Sequence, residues 1–160
     1  MVLKDIINEQ DELVAHTYPI TLWPKRWKGY ANPTALTWTL VTLEDATRKA
    51  KAVPAVSGIY TLLVQPGIAN HPNCSFLLYV GQTKSLYTRF GQYLTSEKKE
   101  TGRPKIFRLL NKYEGHIKFC FTPVPQKDLD AVEDDLTDAY VPYCNDKFTA
   151  DLRPVVGAFK

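Results

Sequence analysis

The sequence predicts an α/β protein: a small, mostly antiparallel three-stranded sheet flanked by helices, preceded by an N-terminal extension. Three observations carry this. Ile59 to Val64 and Phe76 to Val80 are apolar runs joined by a Pro- and Gly-containing connection, as in a hairpin. His116 to Thr122 alternates Ile117, Phe119 and Phe121 against His116, Lys118 and Cys120, which is the period of a half-buried strand. Helical repeats fill the stretches between and after these runs.

The elements follow in order. In the extension, residues 1–55, Leu3, Ile6, Ile7, Leu13 and Val14 have the spacing of a weak amphipathic helix. Tyr18 to Tyr30 holds Pro19 and Pro24 and is expected to be irregular. Ala35 to Val41 is rich in Thr, Trp and Leu and suits a strand. Thr42-Leu43-Glu44-Asp45 resembles a capping box for a short helix that ends in basic residues before Pro54. The second region, residues 56–160, opens with the two strands and their loop, Gln65 to Ser75. Ser85 is a good N-cap for a helix reaching Leu94. A polar loop runs from Ser96 to Pro104, Ile106 to Tyr113 is a further helix, and the third strand follows. A last helix spans about Gln126 to Val141 and is stopped by Pro142.

At 160 residues the chain suits one domain with a short extension. Hydrophobic residues make up 44% and charged residues 23%, enough apolar material for a core and too much for a disordered chain. No apolar run is long enough for a bilayer, so no membrane partner is expected. Acids appear too early at the N-terminus for a signal peptide, and a cytoplasmic protein is expected. The net charge of +3 permits a polyanionic partner without requiring one. Cys74, Cys120 and Cys144 form no Cys-x-x-Cys pair, and His16, His71 and His116 have no ligand spacing, so zinc is not expected.

The last helix poses a physical problem. Leu129, Val132, Leu136, Ala139 and Tyr140 mark its buried face. At roughly 100° per residue, Glu133 falls about 40° from Leu129 and about 20° from Tyr140, at the margin of that face. A carboxylate there needs an Arg partner, a path to solvent or a metal ion. In the helix from Ser85, Arg89 and Tyr93 lie one turn apart beside Leu86 and Phe90. A guanidinium held near the core suits a phosphate, or a carboxylate such as Glu133. Tyr60 and Tyr79 sit on the paired strands, where each alone reads as a packing residue.

Together these residues form a pattern. Gly58-Ile59-Tyr60 followed by Tyr79-Val80-Gly81 resembles the paired signature of the GIY-YIG nucleases. The family's Arg falls ten residues past the second tyrosine, at Arg89, with Tyr93 four further on. Its metal-binding Glu matches Glu133, and the Asn twelve residues later matches Asn145. The resemblance spans about Ser57 to Asp146. It implies a GIY-YIG-like fold for residues 56–160 and a metal-dependent endonuclease hydrolysing DNA phosphodiester bonds. It also implies a single Mg²⁺, replaceable by Mn²⁺, held by Glu133. Tyr60 or Tyr79 would act as general base, Arg89 would bind the phosphate, Tyr93 would touch the phosphate or hold the water network, and Asn145 would orient Glu133 or the backbone around it. Some relatives carry a Lys after the second glycine, where this chain has Gln82.

Two basic segments are candidate DNA contacts. Lys98, Lys99, Arg103, Lys105 and Arg108 are the densest run and would flank the site. Lys25, Arg26 and Lys28 alternate with Trp27 and Tyr30, which suits phosphate contact with base stacking. The extension would pack on the core or contact DNA, with the protein a monomer or a homodimer on its substrate. The competing expectation is a catalytically inactive GIY-YIG-like module that binds nucleic acid or inhibits a partner.

Overall fold

The computed structural model describes residues 3–68, 74–95 and 103–159. The chain runs α1 (Leu3–Ala15), α2 (Pro24–Gly29), β1 (Thr39–Thr42), α3 (Asp45–Lys49), β2 (Gly58–Val64), β3 (Phe76–Thr83) and α4 (Leu86–Leu94). It continues with α5 (Pro104–Lys112), β4 (Ile117–Pro123), a 3₁₀ turn (Gln126–Asp128), α6 (Leu129–Tyr140) and α7 (Arg153–Phe159).

The sheet has four strands in the order β1-β4-β2-β3, every neighbouring pair antiparallel. The α/β class and the hairpin are as the sequence predicts, but the expected three strands become four. Thr39 to Thr42, from the extension, pairs with Lys118 to Phe121 and forms the edge beside β4. That edge left bare would expose a row of unpaired backbone groups. The extension is thus part of the sheet as well as a neighbour of it.

Alternation on β2 divides the core. Tyr60, Leu62 and Val64 join Phe119 and Phe121 of β4 on one face, under Leu86, Phe90 and Tyr93 of α4 and Ile106, Leu109 and Leu110 of α5. Ile59 and Val80 face the other way, against Val124 and Leu129, Val132 and Leu136 of α6. The β2–β3 register slips after Leu62: Leu62 pairs with Tyr79, but Leu63 pairs with Leu77. Leu78 is therefore the extra residue of a bulge. A bulge bends its strand and redirects neighbouring side chains, and Leu78 and Tyr79 both join the α4 side of the core.

Local chemistry accounts for most helix ends. Ser85 caps α4 by accepting from the Thr88 amide at 3.3 Å. Proline at the start of α2 and α5 costs no hydrogen bond, because that amide has no partner inside a helix. This is why Pro24 opens a six-residue helix within a segment expected to be irregular. The expected capping box at Thr42 is absent. Thr42 belongs to β1 and its hydroxyl accepts from Lys118 Nζ at 2.7 Å, while Glu44 takes the N-cap position without a side-chain bond to the helix backbone. The predicted last helix divides into the 3₁₀ turn and α6. It ends at Val141, whose φ of 45° is strained for a branched residue and turns the chain back toward β3. Val141 is buried with Phe148 and Leu152. No helix among the described residues is long and apolar enough to cross a membrane.

Candidate active site

The paired motifs first set steric conditions. Gly58 starts β2 where a Cβ would press into the Thr122 carbonyl and within 2.7 Å of Leu86. Gly81 lies opposite Tyr60, and a Cβ there would come within 2.7 Å of both the Tyr60 hydroxyl and the Tyr79 ring. The two glycines make room for helix α4 and for the two tyrosine rings.

Those rings have different surroundings. Tyr60 is 1% exposed and stacks on Phe119 at 5.0 Å, with its hydroxyl 2.8 Å from that of Tyr93. Burial pushes its pKa well above the usual tyrosine value, reinforced by the neighbouring phenols and only partly opposed by Arg89. Burial likewise pushes Tyr93 up to about 12. Tyr79 also has a raised pKa from burial, but it lines an open cleft and Arg103 works against that rise. The Arg103 guanidinium donates to the Tyr79 hydroxyl and lies 5.5 Å from its ring centre. Tyr60 contributes a side-chain hydrogen bond that also favours ionised Tyr79.

The cleft, about 490 Å³, opens between β3, the start of α5, α6 and the segment after it. Its lining includes Tyr79, Gln82, Arg103, Glu133, Thr137 and Asn145. Glu133 is half-buried, and its pKa is raised by burial against the opposing influence of a Gln82 hydrogen bond. The Gln82 amide also donates to Asp130 at 2.5 Å. The Asn145 side chain accepts from the Val80 amide at 3.0 Å and donates to the Val80 carbonyl at 2.9 Å, so one amide acts as a fifth strand along β3. The Cys144 amide extends this ladder to the Leu78 carbonyl at 2.8 Å.

Of the remaining predicted residues, Arg89 is half-buried on α4 and is not among those lining the cleft. Its Nε is buried without a hydrogen-bond partner among the described residues, and its charge acts on Tyr60 and Tyr93. Lys98 and Lys99 lie outside the described residues. Lys105 lines the cleft and pairs with Asp146 at 2.5 Å, whereas Arg108 is exposed elsewhere on α5. Lys25 and Arg26 border a separate groove of about 430 Å³ with Asp135, Asp138 and Asp151. Arg26 also covers the Trp23 ring at 5.0 Å, and Lys28 is exposed. Of the two basic segments, Arg103 and Lys105 line the cleft, whereas Lys25 and Arg26 lie with Asp135 and Asp138 of α6.

The donor set suits a small hard cation. Glu133 offers a carboxylate, Asp134 a second in the same cleft, and Thr137 a buried Oγ1 that makes no hydrogen bond. Among the described residues no three His, Cys, Asp or Glu side chains cluster as a closed metal cage. This is the chemistry of an ion that keeps most of its own water, as Mg²⁺ does.

Sequence reasoning placed Arg103 among surface DNA contacts and missed its bond to Tyr79, which depends on how the chain returns into α5. It also missed Thr137, although the helical repeat puts that residue one turn from Glu133.

No protein-family model matches the chain, and no curated protein matches it. Among solved structures it is similar to the GIY-YIG N-terminal endonuclease domain of UvrC from Thermotoga maritima. That domain is a nuclease. A tyrosine-to-phenylalanine mutant bound to the catalytic divalent cation is 18% identical, with a TM-score of 0.43, and the match covers 65% of this chain and 99% of that one. The magnesium-bound structure is 21% identical, with a TM-score of 0.43, and covers 64% and 98%.

Proposed function

We propose that this chain is a divalent-metal-dependent endonuclease of the GIY-YIG type that hydrolyses DNA phosphodiester bonds. The observation that carries this reading is the convergence of Tyr79, Arg103 and Glu133 on one open cleft. A phenol, a permanent cation and a half-buried carboxylate are what water attack on a phosphodiester needs close together.

Tyr79 is the general base, because its ring borders the cleft whereas Tyr60 is enclosed. Ionising an ordinary phenol at pH 7 costs roughly 4 kcal/mol. Burial adds to that cost, and Arg103 reduces it. Tyr60 and Tyr93 hold the Tyr79 ring and hydroxyl in place from behind. Glu133 is the metal ligand, and a bound Mg²⁺ or Mn²⁺ would act as Lewis acid toward the phosphate. Arg89 anchors the scissile phosphate, with a forked, always-charged group whose Nε has no partner among the described residues. Asn145 keeps the β3 backbone at Val80 fixed, and so the tyrosine next to it. Lys105 and Arg103 border the cleft and serve the DNA backbone, and Lys98, Lys99 and Arg108 are further candidate contacts for it. Lys25, Arg26 and Lys28 form a second contact. One such site cuts one strand at a time, so double-strand cleavage requires two copies or successive nicks.

The test is plasmid cleavage with Mg²⁺, with Mn²⁺ and with EDTA, comparing wild type with Glu133→Ala. Metal-dependent nicking or linearisation that disappears in the variant supports the assignment. Retention of DNA in a gel shift without cleavage points to an inactive binding module. Cleavage that survives Glu133→Ala overturns the site.

A further inference from the structure

The cleft wall contains a hydroxyl that the fold does not use. Thr137 lies one turn beyond Glu133 on α6, so both side chains project on the same side of the helix. It is 3% exposed and borders the cleft beside Glu133. A threonine within a helix commonly satisfies its hydroxyl on the carbonyl one turn back. Among the described residues, Thr137 Oγ1 has no such bond and no other partner. Valine has the same shape without the penalty of an unpaired buried hydroxyl.

The neighbouring polar groups are already engaged. Asn145 is bonded to Val80, Asp146 to Lys105 and Tyr79 to Arg103. Glu133, which takes a hydrogen bond from Gln82, and Asp134 bring negative charge to the cleft, and Thr137 is the neutral hydroxyl one turn from Glu133. A hydrated divalent cation bound to one carboxylate keeps several waters, and those waters need acceptors on the protein.

Building on the metal-dependent reading above, we propose that Thr137 is a positioning residue of the cation site, its hydroxyl accepting a hydrogen bond from water carried by the cation that Glu133 binds. The hydroxyl adds no charge, so it raises affinity by ordering the hydration shell. It holds the ion where the carboxylate alone would leave it loosely placed.

The experiment is Mn²⁺ binding to the full chain without DNA, read from the loss of the free-ion paramagnetic resonance signal. Wild type, Thr137→Val, Thr137→Ser and Glu133→Ala are compared, together with melting in EDTA and in Mn²⁺. Thr137→Val should weaken Mn²⁺ binding roughly tenfold. Thr137→Ser should recover most of it. In EDTA, Thr137→Val should melt at or above the wild-type temperature, because a methyl replaces an unpaired hydroxyl. Equal Mn²⁺ affinity in wild type and Thr137→Val, with loss in Glu133→Ala, overturns the role of Thr137 alone. A marked fall in the melting temperature of Thr137→Val in EDTA also overturns it, since the hydroxyl would then serve the fold. Failure of wild type to bind Mn²⁺ overturns both this inference and the metal-dependent reading beneath it.

Discussion

Tyr60 and Tyr79 are the same side chain on adjacent strands, and they stand in different surroundings. Tyr60 is enclosed by Phe119 and Tyr93, while Tyr79 faces the cleft under Arg103. Tyr79→Phe is accordingly expected to reduce cleavage by roughly 10²–10⁴-fold, the usual range for losing a general base, with the melting temperature little changed. Tyr60→Phe should instead cost about 1 kcal/mol of stability by breaking the bond to Tyr93. Reversal of that contrast in paired activity and melting measurements would reassign the base. Arg103 lowers the Tyr79 pKa, so Arg103→Ala should raise it and move the rising limb of the pH–rate profile to higher pH. An unmoved limb would show that Arg103 does not tune the tyrosine. Glu133 has its pKa raised by burial, so its ionised form works against folding. Above that raised value the penalty is complete, and it fades as pH falls toward the ordinary carboxylate value. Glu133→Gln should therefore raise the metal-free melting temperature at neutral pH, with the gain shrinking in acid.

Single elements fix where these side chains stand. The β3 bulge at Leu78 turns Tyr79 onto the α4 side of the core, and Asn145 fastens the next residue from outside the sheet. An edge strand has no partner strand to satisfy its outer groups. Asn145 supplies both an acceptor and a donor at Val80. Asn145→Ala leaves both buried Val80 groups unpaired, at about 1–3 kcal/mol each. Hydrogen exchange at the Val80 amide should speed up well beyond that of β2. Unchanged exchange there would mean water replaces the side chain at no cost. The glycines act at this scale too. Gly81→Ala puts a methyl into the Tyr60 hydroxyl and the Tyr79 ring, so both rings must move even though the strand itself tolerates alanine.

Across the whole molecule, the extension matters through β1. This strand covers the outer edge of β4 with backbone bonds from Thr39 to Thr42. Helix α1 is attached more lightly, with Ile6, Ile7, Leu13 and Val14 about half exposed or more. Its ties include the bond from His16 to Tyr113 and the one from Lys112 to the Ala15 carbonyl. A chain beginning at residue 17 should melt close to the full-length protein. One beginning at residue 56 should lose β1, expose β4 and self-associate, as size-exclusion chromatography would report. Equal behaviour of the two truncations would make β1 dispensable.

Several elements of the fold were legible in the sequence because they depend on local rules. Alternation located β2 and β4 and Ser85 located the start of α4, whereas Tyr60, Tyr79, Arg89, Tyr93, Glu133 and Asn145 were grouped by likeness to a family motif, and of these Tyr79, Glu133 and Asn145 line the cleft. Periodicity also placed Glu133 at the margin of a buried face, and the structure leaves it half-buried. What the sequence could not decide involves residues distant along the chain. The fourth strand required Thr39 to Thr42 to meet β4 about eighty positions away, at the cost of closing a long loop that no local pattern reports. The different surroundings of the two tyrosines, the seat of Arg103 on Tyr79 and the use of Asn145 as a surrogate strand were likewise tertiary decisions. Propensity and spacing act over a turn or a strand, whereas burial, charge and hydrogen-bond satisfaction are settled only when distant segments meet.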